Sequence, residues 1–145
     1  MENNSSNIIS FKIEAIELLE YSLNTPNFTT SPELCYKFDM GIEHKISLEL
    51  KKIFVVCSFD VKSETDNFQF AHAKISCIYD FPNVEDYHNK TNNKVNLPDT
   101  IGVTLNSISL STSRGVLFTL FRGTFLHQAI LPIVDPKTFI LGENN

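Results

Sequence analysis

The side chains capable of chemistry are few and scattered. Four histidines, His44, His72, His88 and His127, lie far apart in the chain. Metal sites built from histidine need close, regular ligand spacing, and none of the four has it. His72 falls on the polar side of an alternating run, and His127 follows Phe125-Leu126, so both read as surface or hydrogen-bonded imidazoles. Cys35, Cys57 and Cys77 form no C-x-x-C pair. Cys57 and Cys77 sit among alternating apolar residues, where buried free thiols are usual. No Gly-rich phosphate loop occurs, since Arg114-Gly115 stands alone. Glu14, Glu17 and Glu20 are spaced by three. On a helix they would form a stripe, but on a regular strand they would not share a face. They read as a solvated edge, with an acidic docking site for a partner as the second reading. The expectation is a chain without catalysis, metal or cofactor.

With chemistry unsupported, composition sets the outer bounds. A chain of 145 residues, 42% hydrophobic and 20% charged, has the size and mix of one globular domain. Folding at this length buries roughly two thirds of the chain's surface, enough to hold a core without disulfides. The formal net charge of −5 and the lack of a Lys/Arg cluster speak against nucleic acid. The start, Met1-Glu2-Asn3-Asn4-Ser5-Ser6-Asn7, is polar and acidic, unlike a basic, apolar export leader. No apolar run reaches the roughly 18 residues of a membrane helix. A cytoplasmic protein is expected, with no membrane partner.

The elements that would position side chains begin with strands. From Lys45 to Val61, apolar residues fall on even positions (Ile46, Leu48, Leu50) and then on odd ones (Ile53, Val55, Cys57, Phe59, Val61). The phase flips at Lys51-Lys52, which predicts a β-bulge or sharp bend there. Ser63-Glu64-Thr65-Asp66-Asn67 is a polar turn. Beyond it Ala71, Ala73, Ile75, Cys77, Tyr79 and Phe81 face one way, and His72, Lys74, Ser76 and Asp80 the other. The pair predicts an antiparallel hairpin. The first segment, Phe11 to Tyr21, is divided: Phe11, Ile13 and Ala15 alternate, whereas Ile9, Ile13, Ile16 and Glu20 suit a helix. The turn signal Asn24-Thr25-Pro26-Asn27 that closes it favours a strand. Another strand is expected around Leu34 to Phe38. Pro82 to Asn96 reads as a polar loop. Pro98, then Ile101, Leu105 and Ile108, open a helix that continues to Phe121 and stops at Gly123.

The chain holds twelve phenylalanines and no tryptophan. Many of its large apolar residues gather near the end, in Val116-Leu117-Phe118-Thr119-Leu120-Phe121, Phe125-Leu126 and Ile130-Leu131. Phenylalanine has no polar handle and belongs in a core or on an adhesive surface. Both readings stand for Phe118, Phe121, Phe125, Leu126, Ile130 and Leu131.

The order of strand, hairpin, long helix, Arg122-Gly123-Thr124-Phe125 and Leu131-Pro132-Ile133-Val134-Asp135 resembles the SecB family of export chaperones. That family ends a helix at Arg-Gly-x-Phe-Pro and follows it with Leu-x-Pro-Val-Asn-Phe; here Leu126 stands in place of the proline. Arg114 falls near the arginine of the family's Pro-Tyr-Ala-Arg, without its Pro and Tyr. Leu23-Asn24-Thr25-Pro26-Asn27 is similar to the family's Phe-Glu-x-Pro-Asn. The resemblance covers about residues 11 to 139.

It implies an α+β fold, in which a four-stranded antiparallel sheet packs against a long C-terminal helix and a shorter second helix. Residues 11–140 would form one SecB-like domain between a flexible N-terminus (1–10) and a short polar tail (141–145). The resemblance further implies a homotetramer, a dimer of dimers, that holds unfolded or precursor proteins in apolar grooves without ATP. Phe118, Phe121, Phe125, Leu126, Ile130, Tyr79 and Phe81 are the expected client-binding residues. The family hands clients to the SecA motor through acidic sheet positions; Glu14, Glu17 and Glu20 are the nearest equivalents. Asn24 replaces one family acid, and Lys74 reverses the charge near another. Client binding therefore carries over better than motor docking, and a SecB-like adaptor for one dedicated partner, such as a toxin–antitoxin chaperone, is the alternative.

Overall fold

The computed structural model describes residues 12–26 and 35–139, so the expectations for the N-terminus 1–10, for Phe11, Asn27 and Leu34, and for the tail 141–145 lie outside it. Four twelve-residue strands come first: β1 (Lys12–Leu23), β2 (Tyr36–Ser47), β3 (Lys52–Ser63) and β4 (Gln69–Asp80). They form one antiparallel sheet in the order β1-β4-β3-β2, which leaves β1 and β2 as its edges.

The β3–β4 hairpin folds as its period-2 pattern predicts. Val55, Cys57, Phe59 and Val61 oppose Cys77, Ile75, Ala73 and Ala71, and all eight are buried on one face. Burying a side chain such as Phe59 or Ile75 contributes about 1.5–3 kcal/mol. Of the two geometries expected at Lys51-Lys52, a bulge or a sharp bend, the structure has the bend: the chain reverses between β2 and β3. β2 ends at Ser47, whose Oγ accepts the Leu50 amide at 3.1 Å, and Lys51 takes a left-handed backbone with φ 52°. Ile46 and Ile53 then face each other across the β2–β3 ladder. A reversal, like a bulge, flips the phase of alternation, and the sequence pattern alone does not separate the two.

β1 is a strand, but an irregular one. Its ladder to β4 skips between Ile13 and Ala15 and again between Leu18 and Glu20, so Glu14 and Leu19 are extra residues. Each insertion moves the next inward side chain three positions along instead of two. Ile13, Ile16, Leu18, Tyr21 and Leu23 thereby oppose Tyr79, Cys77, Ile75, Ala73 and Ala71 and share their face. The helix-like spacing in the sequence is the trace of these bulges.

Residues 82–96 are more ordered than a loop. A 3-10 turn (Val84–Tyr87) buries Val84 and stacks Tyr87 on Phe81, with ring centroids 5.7 Å apart. A two-residue pair, β5 (His88–Asn89) with β6 (Lys94–Val95), follows.

α1 (Asp99–Phe121) lies over β3 and β4. Pro98 sits at its N-cap, and Gly123 takes φ 74° just beyond its end, a conformation that costs a residue with a Cβ about 1–2 kcal/mol. The expected shorter second helix is only a 3-10 turn, Pro136–Phe139, among the described residues. Pro136 opens that turn, where its missing amide donor has no intrahelical bond to lose.

Candidate functional site

α1 meets the sheet through a polar seam inside an apolar core. Asn106, Ser109 and Ser113 are fully buried, although serine and asparagine are poor helix formers. Ser109 Oγ lies 2.7 Å from the Tyr79 hydroxyl, and the His44 Nε2–H of β2 donates to Asn106 Oδ1 at 2.6 Å. Burial holds the His44 imidazole below its ordinary value against the opposing pull of that bond, so it is neutral at pH 7. Cys57 and Cys77 face the same seam. Burial pushes the Cys57 thiol up to about 12, with the Ser113 hydroxyl a smaller opposing influence, and raises Cys77 as well. Thiols held in the neutral form are poor nucleophiles. Among the described residues, no group of three or more His, Cys, Asp or Glu side chains could hold a metal ion.

Beyond α1 the chain is fastened back onto the helix. Arg114 donates from Nε to the Leu131 carbonyl at 2.9 Å and from Nη2 to the Pro132 carbonyl at 3.1 Å. Leu126, Ala129 and Leu131 are thereby laid into the core. Two edge-strand tyrosines reach the same region: Tyr21 of β1 donates to the Leu120 carbonyl at 3.4 Å, and Tyr36 of β2 to that of Gln128 at 2.9 Å.

This packing divides the residues expected to meet clients. Tyr79, Phe81, Phe121 and Leu126 are core residues, each at most 1% exposed, which corrects their grouping with a client surface. Phe125 is half-buried against Phe70, their centroids 5.7 Å apart. Phe118 and Ile130 are exposed, at 51% and 56%. The correction follows from helix periodicity: Leu117 and Phe121 are one turn apart and point inward, and Phe118 falls on the outer side.

The larger apolar surface lies on β1, where the sequence reading names no client residue. α1 lies over β3 and β4 and meets β1 at Tyr21, whose hydroxyl reaches Leu120. Ile13, Ile16, Leu18 and Tyr21 point to the helix side of the sheet yet remain 38–50% exposed. The signal available in the sequence was the three-residue spacing of Ile13 to Ile16 and Leu18 to Tyr21, which resembles a helix.

The opposite face of the sheet is charged. The two bulges correct the expectation for the acidic residues: Glu17 and Glu20 oppose Ser76 and Lys74 on one face, and the Glu14 carboxylate meets Lys52 Nζ on that face at 2.9 Å. Glu20 pairs with His72 Nε2 at 2.6 Å and with Lys74 Nζ at 3.7 Å. The His72 bond, followed by the Lys74 charge, lowers its carboxyl.

No protein-family model matches the chain, and no curated protein sequence does. Its backbone is similar to that of the SecB-like chaperone Rv1957 of Mycobacterium tuberculosis, solved with a ChAD peptide from the Rv1956 HigA1 antitoxin. The match has a TM-score of 0.53 and 13% sequence identity, and covers 86% of this chain and 84% of that one. A likeness of this extent at so low an identity is one of architecture: the chain has the SecB-like fold.

Proposed function

We propose that this protein is an ATP-independent chaperone that holds non-native polypeptides on the open apolar face of β1. The observation that carries this reading is that Ile13, Ile16 and Leu18 share the helix-side face of the sheet with the buried core yet stay exposed, while Tyr21 beside them reaches α1 through its hydroxyl. Unfolded chains expose apolar segments, and an uncovered apolar strand face can bury them. Phe118 and Ile130 add exposed apolar area near the end of the helix and beyond it. Single contacts of this kind are weak. Assembly into a homotetramer, which this reading includes, strengthens them by presenting several such faces to one long client. The acidic residues play the smaller part: Glu14 and Glu20 are engaged within the sheet, so docking on a motor such as SecA is no part of the proposal.

A second reading is favoured by one observation, the antitoxin peptide bound to the similar fold of Rv1957. Under it, the same face serves one dedicated partner protein instead of many clients.

Light scattering of an aggregating client at stoichiometric chaperone tests the first reading. Wild type is expected to suppress aggregation. A double variant, Ile16→Thr with Leu18→Thr, should lose most of the suppression while keeping its fold, because threonine suits strands and both positions are half-exposed. Equal suppression by the double variant moves the client site off β1. No suppression by wild type, at a solution mass of one tetramer, leaves the dedicated-partner reading.

A further inference from the structure

The charged face of the sheet carries an arrangement that neither the fold nor the client reading uses. His72, near the start of β4 and between β1 and β3, has a carboxylate on each ring nitrogen: Glu20 of β1 at 2.6 Å from Nε2 and Asp60 of β3 at 2.8 Å from Nδ1. A neutral imidazole has one N–H and one lone pair. Placed here, it would satisfy one carboxylate and turn its lone pair on the other. Only the imidazolium, with two N–H groups, donates to both.

The surrounding charges favour the same state. Asp60 lies directly opposite Asp39 of β2 on this face, an unfavourable like-charge pair. Lys62 Nζ answers Asp39 at 3.2 Å, and Gln69 Nε2 donates to Asp60 Oδ1 at 2.9 Å. On the other side, Lys74 reaches Glu20, and Glu17, one position further out, has no ion pair among the described residues. Lys37 of β2 lies opposite Lys62 on this face, so three lysines, Lys37, Lys62 and Lys74, stand near the acids Glu20, Asp60 and Asp39. The two carboxylates that touch His72 directly, those of Glu20 and Asp60, favour its protonated form. α1 packs on the opposite face and contributes no charge here.

We propose that His72 is a proton-operated clamp that ties the edge strand β1, through Glu20, to Asp60 of β3 across the intervening strand. β1 is held to the sheet on one side only, by β4, and its ladder is broken twice by bulges. The His72 bridge, which spans three strands as the Glu14–Lys52 pair also does, therefore supplements that single ladder. The hydrogen bonds that His72 makes to Glu20 and then to Asp60 raise its value above the ordinary 6.5. A raised value means that the clamp is fully closed below pH 6.5 and opens as pH rises through the value in the folded protein. The inference does not depend on what β1 binds.

The test uses the full chain and two local readouts, because His44 titrates in the opposite sense and blurs global stability. In an NMR titration, the His72 ring is expected to have its midpoint above 6.5, and Glu20→Gln and Asp60→Asn should each lower it. Amide exchange at Glu17–Ser22, corrected for intrinsic rate and referred to β3, should rise at least about threefold from about pH 6 to about pH 8.5. In His72→Gln the same amides should show no such rise. A midpoint at or below 6.5, a midpoint unmoved in both carboxamide variants, or pH-independent exchange of β1 in wild type overturns the clamp.

Discussion

Arg114 and Leu131 are joined by a hydrogen bond of 2.9 Å, from a side chain in the middle of α1 to a backbone carbonyl 17 residues further on. The same guanidinium also holds Pro132. One planar side chain thus docks the segment that returns along the helix and seals Leu126 and Leu131 into the core. Arg114→Ala should cost about 1–3 kcal/mol in urea unfolding, since two carbonyls lose charged donors. Arg114→Lys should recover less than half of this, because an ammonium lacks the fork that spans both acceptors. Full recovery by lysine would show that charge alone matters.

Phe118 and Phe121 are neighbours in sequence with opposite environments, 51% and 1% exposed. Phe121→Ala should destabilise by about 3–5 kcal/mol, whereas Phe118→Ala should stay within about 0.5 kcal/mol. Denaturant midpoints on the two variants decide it, and similar losses would mean that Phe118 is covered in the assembled protein.

Gly123 has open space where a Cβ would stand, so substitution there is opposed by backbone conformation alone. With φ at 74°, Gly123→Ala should cost about 1–2 kcal/mol. Gly123→Asn should cost less, since asparagine tolerates the left-handed region. Thermal melts compare the two.

His44 titrates against the sheet's outer clamp. Its folded value lies below 6.5, so its contribution is complete above pH 6.5 and declines as pH falls from there toward the lowered value. In a His72→Gln background, the urea midpoint should therefore drop between about pH 7 and about pH 5. Adding His44→Gln should flatten that portion of the profile. An unchanged slope would assign the acid sensitivity to another group.

The regular parts of the fold were legible in the residues. Strict alternation from Ala71 to Phe81 defined β4 and its buried face, and Pro98 and Gly123 bracketed the helix. The ambiguous places were those where two geometries share one pattern. A turn at Lys51 and a bulge at Lys51 flip the phase alike, and a twice-bulged strand places apolar residues three apart as a helix does. Bulk and hydrophobicity are visible in a sequence, and they single out the C-terminal phenylalanines. Whether a helix covers a given strand is not visible there, and that is what leaves Ile16 open and buries Phe121. Val84 was hidden for a similar reason: one valine in a polar stretch shows no periodicity.

The extra residues of β1 have a consequence for length. Leu19 stands beside the ladder, so removing it leaves every pairing from Lys12↔Asp80 to Leu23↔Ala71 in place. Were a residue lost nearby, at Glu17 for example, Leu18 would take the outward place and Leu19 the inward one, and a leucine would still face the helix side. The strand carries spare links. Small deletions are taken up within a few residues and need not propagate along the sheet, so this edge can change length while its apolar face is kept.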